Sequence, residues 1–302
     1  MVRIPEGTLL MGSTEFYPEE GPVHERHVAT FELDAHPVTN AEFARFVEET
    51  GYVTVAERSL DPADFPGADP DALVEGSTVF TPTDGPVDLR AWRRWWRWQP
   101  GAHWRHPLGP DSTVDELGDH PVVHVAFEDA EAYARWAGKR LATEPEWEWA
   151  ARGGLVGARF AWGDELRLGE FANTWLGAFP YRNDGWGGTS PVASYPANGY
   201  GLHDMIGNVW EWTSSPWAPR HVVPGSTPVD AGGRRNLFGA AGAGPARRVT
   251  KGGSHLCAPE YCQRYRPAAR SSQTEDSATT HLGFRCARDA DAASGGSFRN
   301  GG

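Results

Sequence analysis

Two of the three cysteines in this chain, Cys257 and Cys262, stand five positions apart in "GGSHLCAPEYCQRYR". Five residues of helix would turn the two side chains about 140° apart. A strand would send them to opposite faces. Neither element lets the sulfurs converge, whereas a bend would, and "CAPEYC" contains Pro259. Several chemistries are open to such a pair. Two unrelated buried thiols are one. A disulfide is another, feasible if the Cα atoms come within about 6 Å, and in a reducing compartment more often catalytic than structural. A metal site is the third. Two thiolates without a third cysteine or a histidine pair make a poor zinc site, but they suit Cu(I). His255 is near in sequence and reads as a neighbour rather than a ligand.

Two irregular segments carry oxygen donors. In "NGYGLHDMIGNVWEW", Asp204 and Glu211 with the carbonyls between them have the chemistry to wrap a hard cation such as Ca²⁺, although this is not an EF-hand loop. Capping of turns is the simpler use of the same groups. "ANTWLGAFPYRNDGWGG" has the same character, with Asn173 and Asp184. A further stretch, "RAWRRWWRWQPGAHWRHP", interleaves arginine with tryptophan. That pattern can stack on single-stranded nucleic acid, but the chain's net charge of -12 opposes it. Arginine snorkelling over a Trp-rich core, cation–π pairs or a peptide groove fit better. The sequence has no Gly-rich phosphate loop, no HExxH and no G-x-S-x-G.

The elements that must hold these residues are partly visible. The 302 residues include 36 Gly, 24 Pro and 14 Trp. Many large apolar anchors in a Gly/Pro-rich chain predict a folded protein with much irregular backbone. Three helices announce themselves: "TNAEFARFVEETG" with a Thr39–Glu42 capping box and Gly51 as stop, "EDAEAYARWAGK" ending at Gly138, and "TEPEWEWAARGG" capped by Thr143. "HPVVHVAF" and "RRVTKGGS" read as short extended pieces. Residues 155–286 read mostly as short strands and loops. The expectation is one α+β domain over 1–288 and a flexible tail over 289–302. No apolar run approaches a membrane span. "MVRIPEGTLLMGS" has no secretory h-region, so a cytoplasmic location is expected.

Nearly end to end, the chain resembles the formylglycine-generating enzymes. The resemblance runs from "IPEGTLLMGS" and "HPVTNAEFARFVEETGYVT" through "WRHPLGPDST" and "NGYGLHDMIGNVWEW" to "RVTKGGSHLCAPEYCQRYRPAARSSQTEDSATTHLGFRC". The last segment, GGSxxC followed by YC, is the specific part. It implies a C-type-lectin-like α+β fold with little regular secondary structure. It also implies oxidation of the cysteine in a Cys-x-Pro-x-Arg stretch of an unfolded sulfatase to Cα-formylglycine, with O₂ and a thiol reductant. Cys257 and Cys262 would hold Cu(I), the substrate cysteine would join them, and a thioaldehyde would form and hydrolyse. Ser254 and Tyr261 would line the oxygen pocket, with Trp210 beside it. Arg266 and His281 match active-site polar positions. Asp61 matches an acidic residue that pairs with the substrate arginine, and Asp64 is the alternative. Two structural Ca²⁺ sites map onto Asn173, Thr174, Asp184 and Trp186, and onto Asp204, Gly207, Val209 and Glu211, with Thr174, Trp186, Gly207 and Val209 acting through backbone. Cys286 would be a buried structural thiol.

The acidic net charge and the lack of a long apolar run argue against a nucleic-acid or membrane partner, and a monomer is expected. The alternative from another class is a noncatalytic C-type-lectin-like binding module, which keeps "GNVWEW" and "GFR" but needs no cysteine pair. Iron-dependent sulfoxide synthases share the fold, but carry their metal-binding histidines largely in an added helical domain.

Overall fold

The computed structural model describes residues 1–64, 67, 69, 73–223 and 246–290. Local rules build its three helices. In α1 (Asn40–Thr50) the Thr39 side chain accepts the Glu42 N–H and the Glu42 carboxylate accepts the Thr39 N–H at 2.8 Å, while Gly51 at φ 67° ends the helix. Helix α2 (Phe127–Trp136) presents Ala130, Tyr133 and Ala134 inward. Helix α3 (Glu144–Arg152) starts on Thr143 with its own capping box and stops at Gly153, φ 57°. Helices α1 and α2 bury their faces in the largest core, with Trp104 and Phe284. Helix α3 closes a second core beneath the N-terminal strands.

The strands are short. They run β1 (Val2–Ile4), β2 (Gly7–Met11), β3 (His24–Val28), β4 (Phe31–Leu33), β5 (Gly76–Phe80) and β6 (Trp96–Pro100). After these come β7 (Arg140–Leu141), β8 (Trp210–Pro216), β9 (Arg247–Lys251), β10 (Arg270–Thr274), β11 (Leu282–Gly283) and β12 (Cys286–Asp289). One antiparallel sheet has the order β1-β4-β12-β7. Leu33 of β4 faces Val2 on one side and Ala287 on the other. The other sheet has the order β10-β9-β8-β11, with β11 parallel to β8. Two antiparallel hairpins, β2–β3 and β5–β6, complete the set. Asp289 lies in β12, so ordered structure runs past residue 288. Residues 291–302 of the expected tail lie outside the described residues.

"RRVTKGGS" forms β9, but "HPVVHVAF" forms no ladder strand. Its Val122, Val123 and Val125 are all buried. Its backbone bonds go to loops instead: Val122 N–H donates to Val38 O at 2.9 Å and His124 N–H to Thr279 O at 3.0 Å. Among the described residues, no helix or strand lies between Arg152 and Trp210. Side chains satisfy that irregular backbone. Asn208 Oδ1 takes the Ser190 N–H at 3.0 Å, and Asn198 Nδ2 donates to Ala150 O at the end of α3 at 2.8 Å. Among the described residues, no helix is long and apolar enough to cross a membrane.

Candidate active site

Strand β9 delivers the chain into a glycine turn. Gly253 has φ +72°, and a Cβ there would stand 2.9 Å from Arg264 O. Only glycine lets the two segments approach this closely. Beyond it the chain bends around Pro259, with Cys257 N–H on Ser254 O at 3.0 Å and Cys262 N–H on Ala258 O at 2.8 Å. The bend brings the Cys257 and Cys262 sulfurs to 3.0 Å, as free thiols. Cys257 is buried and Cys262 is partly open. Burial pushes the Cys257 thiol well up. A hydrogen bond from Cys257, opposed by burial and aided by the Arg264 charge, brings Cys262 down to about 7. The pair is thus a thiol donating to a sulfur that is readily ionised.

The two cysteines sit in an open cleft of about 380 Å³. Tyr261 forms part of its wall, stacked on Phe179 with centroids 4.4 Å apart and edge-on to Trp95 at 5.6 Å. Ser254 is buried, and its Oγ accepts the Leu256 N–H at 3.2 Å. Trp210 opens β8, and its N–H donates to His281 O at 2.8 Å. The His281 ring lies 4.9 Å from Trp96, with Nδ1 3.0 Å from Thr279 Oγ1. Burial drives its pKa down to about 3, so the ring is neutral. Cys257, Cys262, Ser254, Tyr261, Trp210 and His281 all line this cleft.

Arg266 does not join them. Its guanidinium is buried, forks onto both oxygens of Glu20 and lies 3.8 Å over Phe16. It faces a separate depression shared with Arg152 and Arg159. The guanidinium in the cleft belongs to Arg264, which pairs with Glu19 at 2.6 Å and stacks 3.9 Å over Tyr17. Proximity to Cys262 was its one signal in the sequence. Glu19 and Tyr17, so far away in the chain, had none.

Thr78, Ser277 and Thr279 border both this cleft and an adjoining basin of about 450 Å³. Leu60, Leu73, Trp98 and Asp276 line the basin. Asp61 follows Leu60 and is exposed, with one carboxylate oxygen accepting the Ala63 N–H at 2.9 Å. Asp64 ends that same short turn. Asp276 is a second acid at the basin, not foreseen from sequence.

The family model for the sulfatase-modifying factor enzyme 1-like domain matches residues 1–290. The formylglycine-generating enzyme of Mycobacterium tuberculosis (strain ATCC 25618 / H37Rv) is 59% identical over 96% of this chain and 97% of its own length. The chain belongs to the formylglycine-generating enzyme family. The formylglycine-generating enzyme of Streptomyces coelicolor (strain ATCC BAA-471 / A3(2) / M145) is 50% identical, over 97% of this chain and 90% of that one. Among solved structures, PvdO from Pseudomonas aeruginosa superposes with a TM-score of 0.60 at 25% identity, covering 95% of this chain and 93% of that chain. The fold is that of the sulfatase-modifying domain, low in regular structure.

The candidate cation loops pack on one another, with Asn208 N–H on Asn173 O at 2.8 Å. Gly207, at φ +77°, permits the approach, since a Cβ would stand 2.3 Å from Asn173 O. Asn173 is buried, and its Nδ2 donates to Gly188 O at 2.9 Å. Thr174 is buried beside it, and its Oγ1 has no hydrogen-bond partner. Asp184 is open, 3.5 Å from Arg182 Nε, and Trp186 is exposed. Oxygen donors of this kind, with a carboxylate free to turn, fit a hard cation. The second set fits less well. Glu211 is buried and meets Arg285 twice at 2.8 Å, while Trp147 Nε1 donates to it at 2.7 Å. Its charge is already balanced. Asp204 accepts the Ala193 N–H at 2.7 Å, and burial raises its pKa. Among the described residues, no three His, Cys, Asp or Glu side chains gather as a metal site. Cys286 is buried in the core.

Proposed function

We propose that the enzyme converts the cysteine of a Cys-x-Pro-x-Arg segment in an unfolded sulfatase to Cα-formylglycine. Cys257 and Cys262 hold Cu(I), O₂ is the oxidant and a thiol is the reductant. The observation that carries this reading is the 3.0 Å approach of the two sulfurs inside an open cleft. Two soft donors with room for a third suit Cu(I) better than any harder ion. Bound there, copper supplies electron transfer to O₂ and a seat for the substrate sulfur.

The balance is fixed. The substrate thiol, one O₂ and two reductant thiols become an aldehyde, H₂S, one disulfide and one water. The substrate Cβ loses a hydrogen, its bond to sulfur breaks, and the aldehyde oxygen comes from water. The chain's own residues set the stage. The Tyr261–Phe179–Trp95 wall keeps one side of the cleft apolar. Ser254 and the neutral His281 ring offer hydrogen bonds without adding charge. Arg264 supplies the positive charge that a cluster of thiolates needs. Asp61 receives the substrate arginine, and Asn173, Thr174, Asp184 and Trp186 hold Ca²⁺.

Mass spectrometry of a Cys-x-Pro-x-Arg peptide, incubated aerobically with reductant and with or without copper, tests the reading. The aldehyde mass should appear and depend on copper. A peptide left intact with copper, O₂ and reductant all present would overturn it.

A further inference from the structure

The arginine–tryptophan stretch is not used by the proposed chemistry, yet it forms one wall of both basins. Trp92, Trp95 and Trp96 line the cysteine cleft, and Trp98 lines the neighbouring basin. Trp95 is fully buried, as a core residue should be. Trp92 and Trp98 are not: they are 50% and 49% exposed. Indole left this open beside a groove marks a contact surface.

The charge of this wall is equally unusual. Between Asp88 and Arg105 the chain carries five arginines and one aspartate, within a protein of net charge -12. Asp88 is spent on Arg90 at 2.8 Å. Arg93, Arg94 and Arg97 are exposed, and among the described residues none of them forms an ion pair. Arg93 lies over the Trp92 ring at 4.9 Å, at the mouth of the cleft. Arg94 sits on the turn leading into β6, whereas Arg97 alternates with Trp96 and Trp98 and turns to the face of β6 away from the groove. The exposed Asp276 lines the adjoining basin. The Trp92 edge of the cleft is therefore cationic, and the adjoining basin carries an acidic side.

We propose that Trp92, Arg93 and Arg94 form a docking rim for acidic residues that flank the Cys-x-Pro-x-Arg segment of the unfolded substrate. This rests on the function proposed above and adds a specificity to it. The substrate arginine is repelled from the rim and drawn to the acidic side, while an acidic flank is drawn to the rim. The groove thus sets the direction in which the peptide lies. Single-stranded nucleic acid would also stack on tryptophan. Its charge runs along its whole length, however, and the rest of this acidic molecule repels it. A short acidic stretch meets only the rim.

Three labelled peptides sharing one Cys-x-Pro-x-Arg core, with three Glu, three Gln or three Lys beside it, would be titrated onto the reduced enzyme by fluorescence anisotropy. At low salt the Glu peptide should bind tightest and the Lys peptide weakest, with a spread of about three- to tenfold that collapses near 0.5 M salt. The double variant Arg93→Glu, Arg94→Glu should reverse the order, which misfolding would not do. Equal affinities, or an order unchanged in that variant, would overturn the proposal. So would a single-stranded oligothymidylate that binds the enzyme and displaces the Glu peptide. Failure to oxidise the core peptide would sink the functional reading alone, because the binding order is read without turnover.

Discussion

Arg264 meets Glu19 at 2.6 Å across 245 positions of sequence. The same N-terminal segment takes the Gln263 N–H on the Tyr17 hydroxyl at 3.1 Å. The chain leaving Cys262 is therefore gripped from the far end of the molecule. Removing this charge should make Cys262 harder to ionise. In the reduced, metal-free enzyme, Arg264→Met should slow alkylation by iodoacetamide at pH 7 several-fold. The midpoint of its pH profile should move up from about 7. A midpoint that stays put would assign the acidity to the Cys257 hydrogen bond alone.

Cys257→Ser and Cys262→Ser should each remove detectable turnover and copper binding while leaving the thermal midpoint nearly unchanged. A hydroxyl is a poor ligand for Cu(I). Peptide turnover at the wild-type rate in both variants would refute the pair's role.

Asp61→Ala should raise KM for a Cys-x-Pro-x-Arg peptide more than it lowers kcat, because an ion pair away from the chemistry contributes uniform binding. A Lys-for-Arg peptide should be poorer on the wild type, since lysine lacks the planar fork. Asp276→Ala, measured alongside, serves as the comparison. If KM rises only there, the arginine pairs across the basin and not with Asp61.

Glu211→Ala would strand the buried Arg285 and cost roughly 3–5 kcal/mol with or without calcium. Its effect is no measure of cation binding. Asp184→Ala is the informative variant, because that carboxylate is open. Calcium should raise the wild-type Tm through linkage, and the gain should shrink in Asp184→Ala. A wild-type Tm indifferent to calcium and to chelator would exclude the loop as a cation site.

Acid should destabilise the fold before most of the carboxylates titrate. Burial lowers His124 to about 3 and His255 to about 4. The unfolded chain takes up both protons below about pH 6.5 while the native state does not. Stability from these rings is therefore full above pH 6.5 and is lost as pH falls toward 4, at about 3 kcal/mol per pH unit, partly offset below pH 6 by Asp129, whose carboxyl burial raises to about 6. His281 keeps a face on the cleft and should add less. Urea unfolding at pH 7.5, 6 and 5 would measure the slope, and a flat profile would contradict neutral burial.

The helices were legible because their signals are local: Thr39, Thr143, Gly51 and Gly153 act on neighbours within one turn. The cysteine pair was legible for a similar reason, since only a bend lets the sulfurs converge at that spacing and Pro259 allows one. Arg264 was not separable from Arg266, because two residues of extended chain place both on one side. Their fates are decided by Glu19 and Glu20, which no local pattern connects to them. "HPVVHVAF" misleads in another way. Its apolar run reports burial, but its bonding partners, Val38 and Thr279, come from separate loops.

The grip of Tyr17–Glu20 on the cysteine segment also governs when the oxidase comes into being. Glu19–Arg264 and Glu20–Arg266 close loops spanning 245 and 246 positions. Closing a loop of that length costs on the order of 5 kcal/mol before any contact repays it. β12, seated between β4 and β7, adds the same demand. A growing polypeptide cannot assemble the cleft by halves, so contact order makes its completion late and cooperative. On the ribosome the paired thiols lack the clamped arginine and the walls of their cleft, and they become an oxidising centre only when both ends of the fold have met.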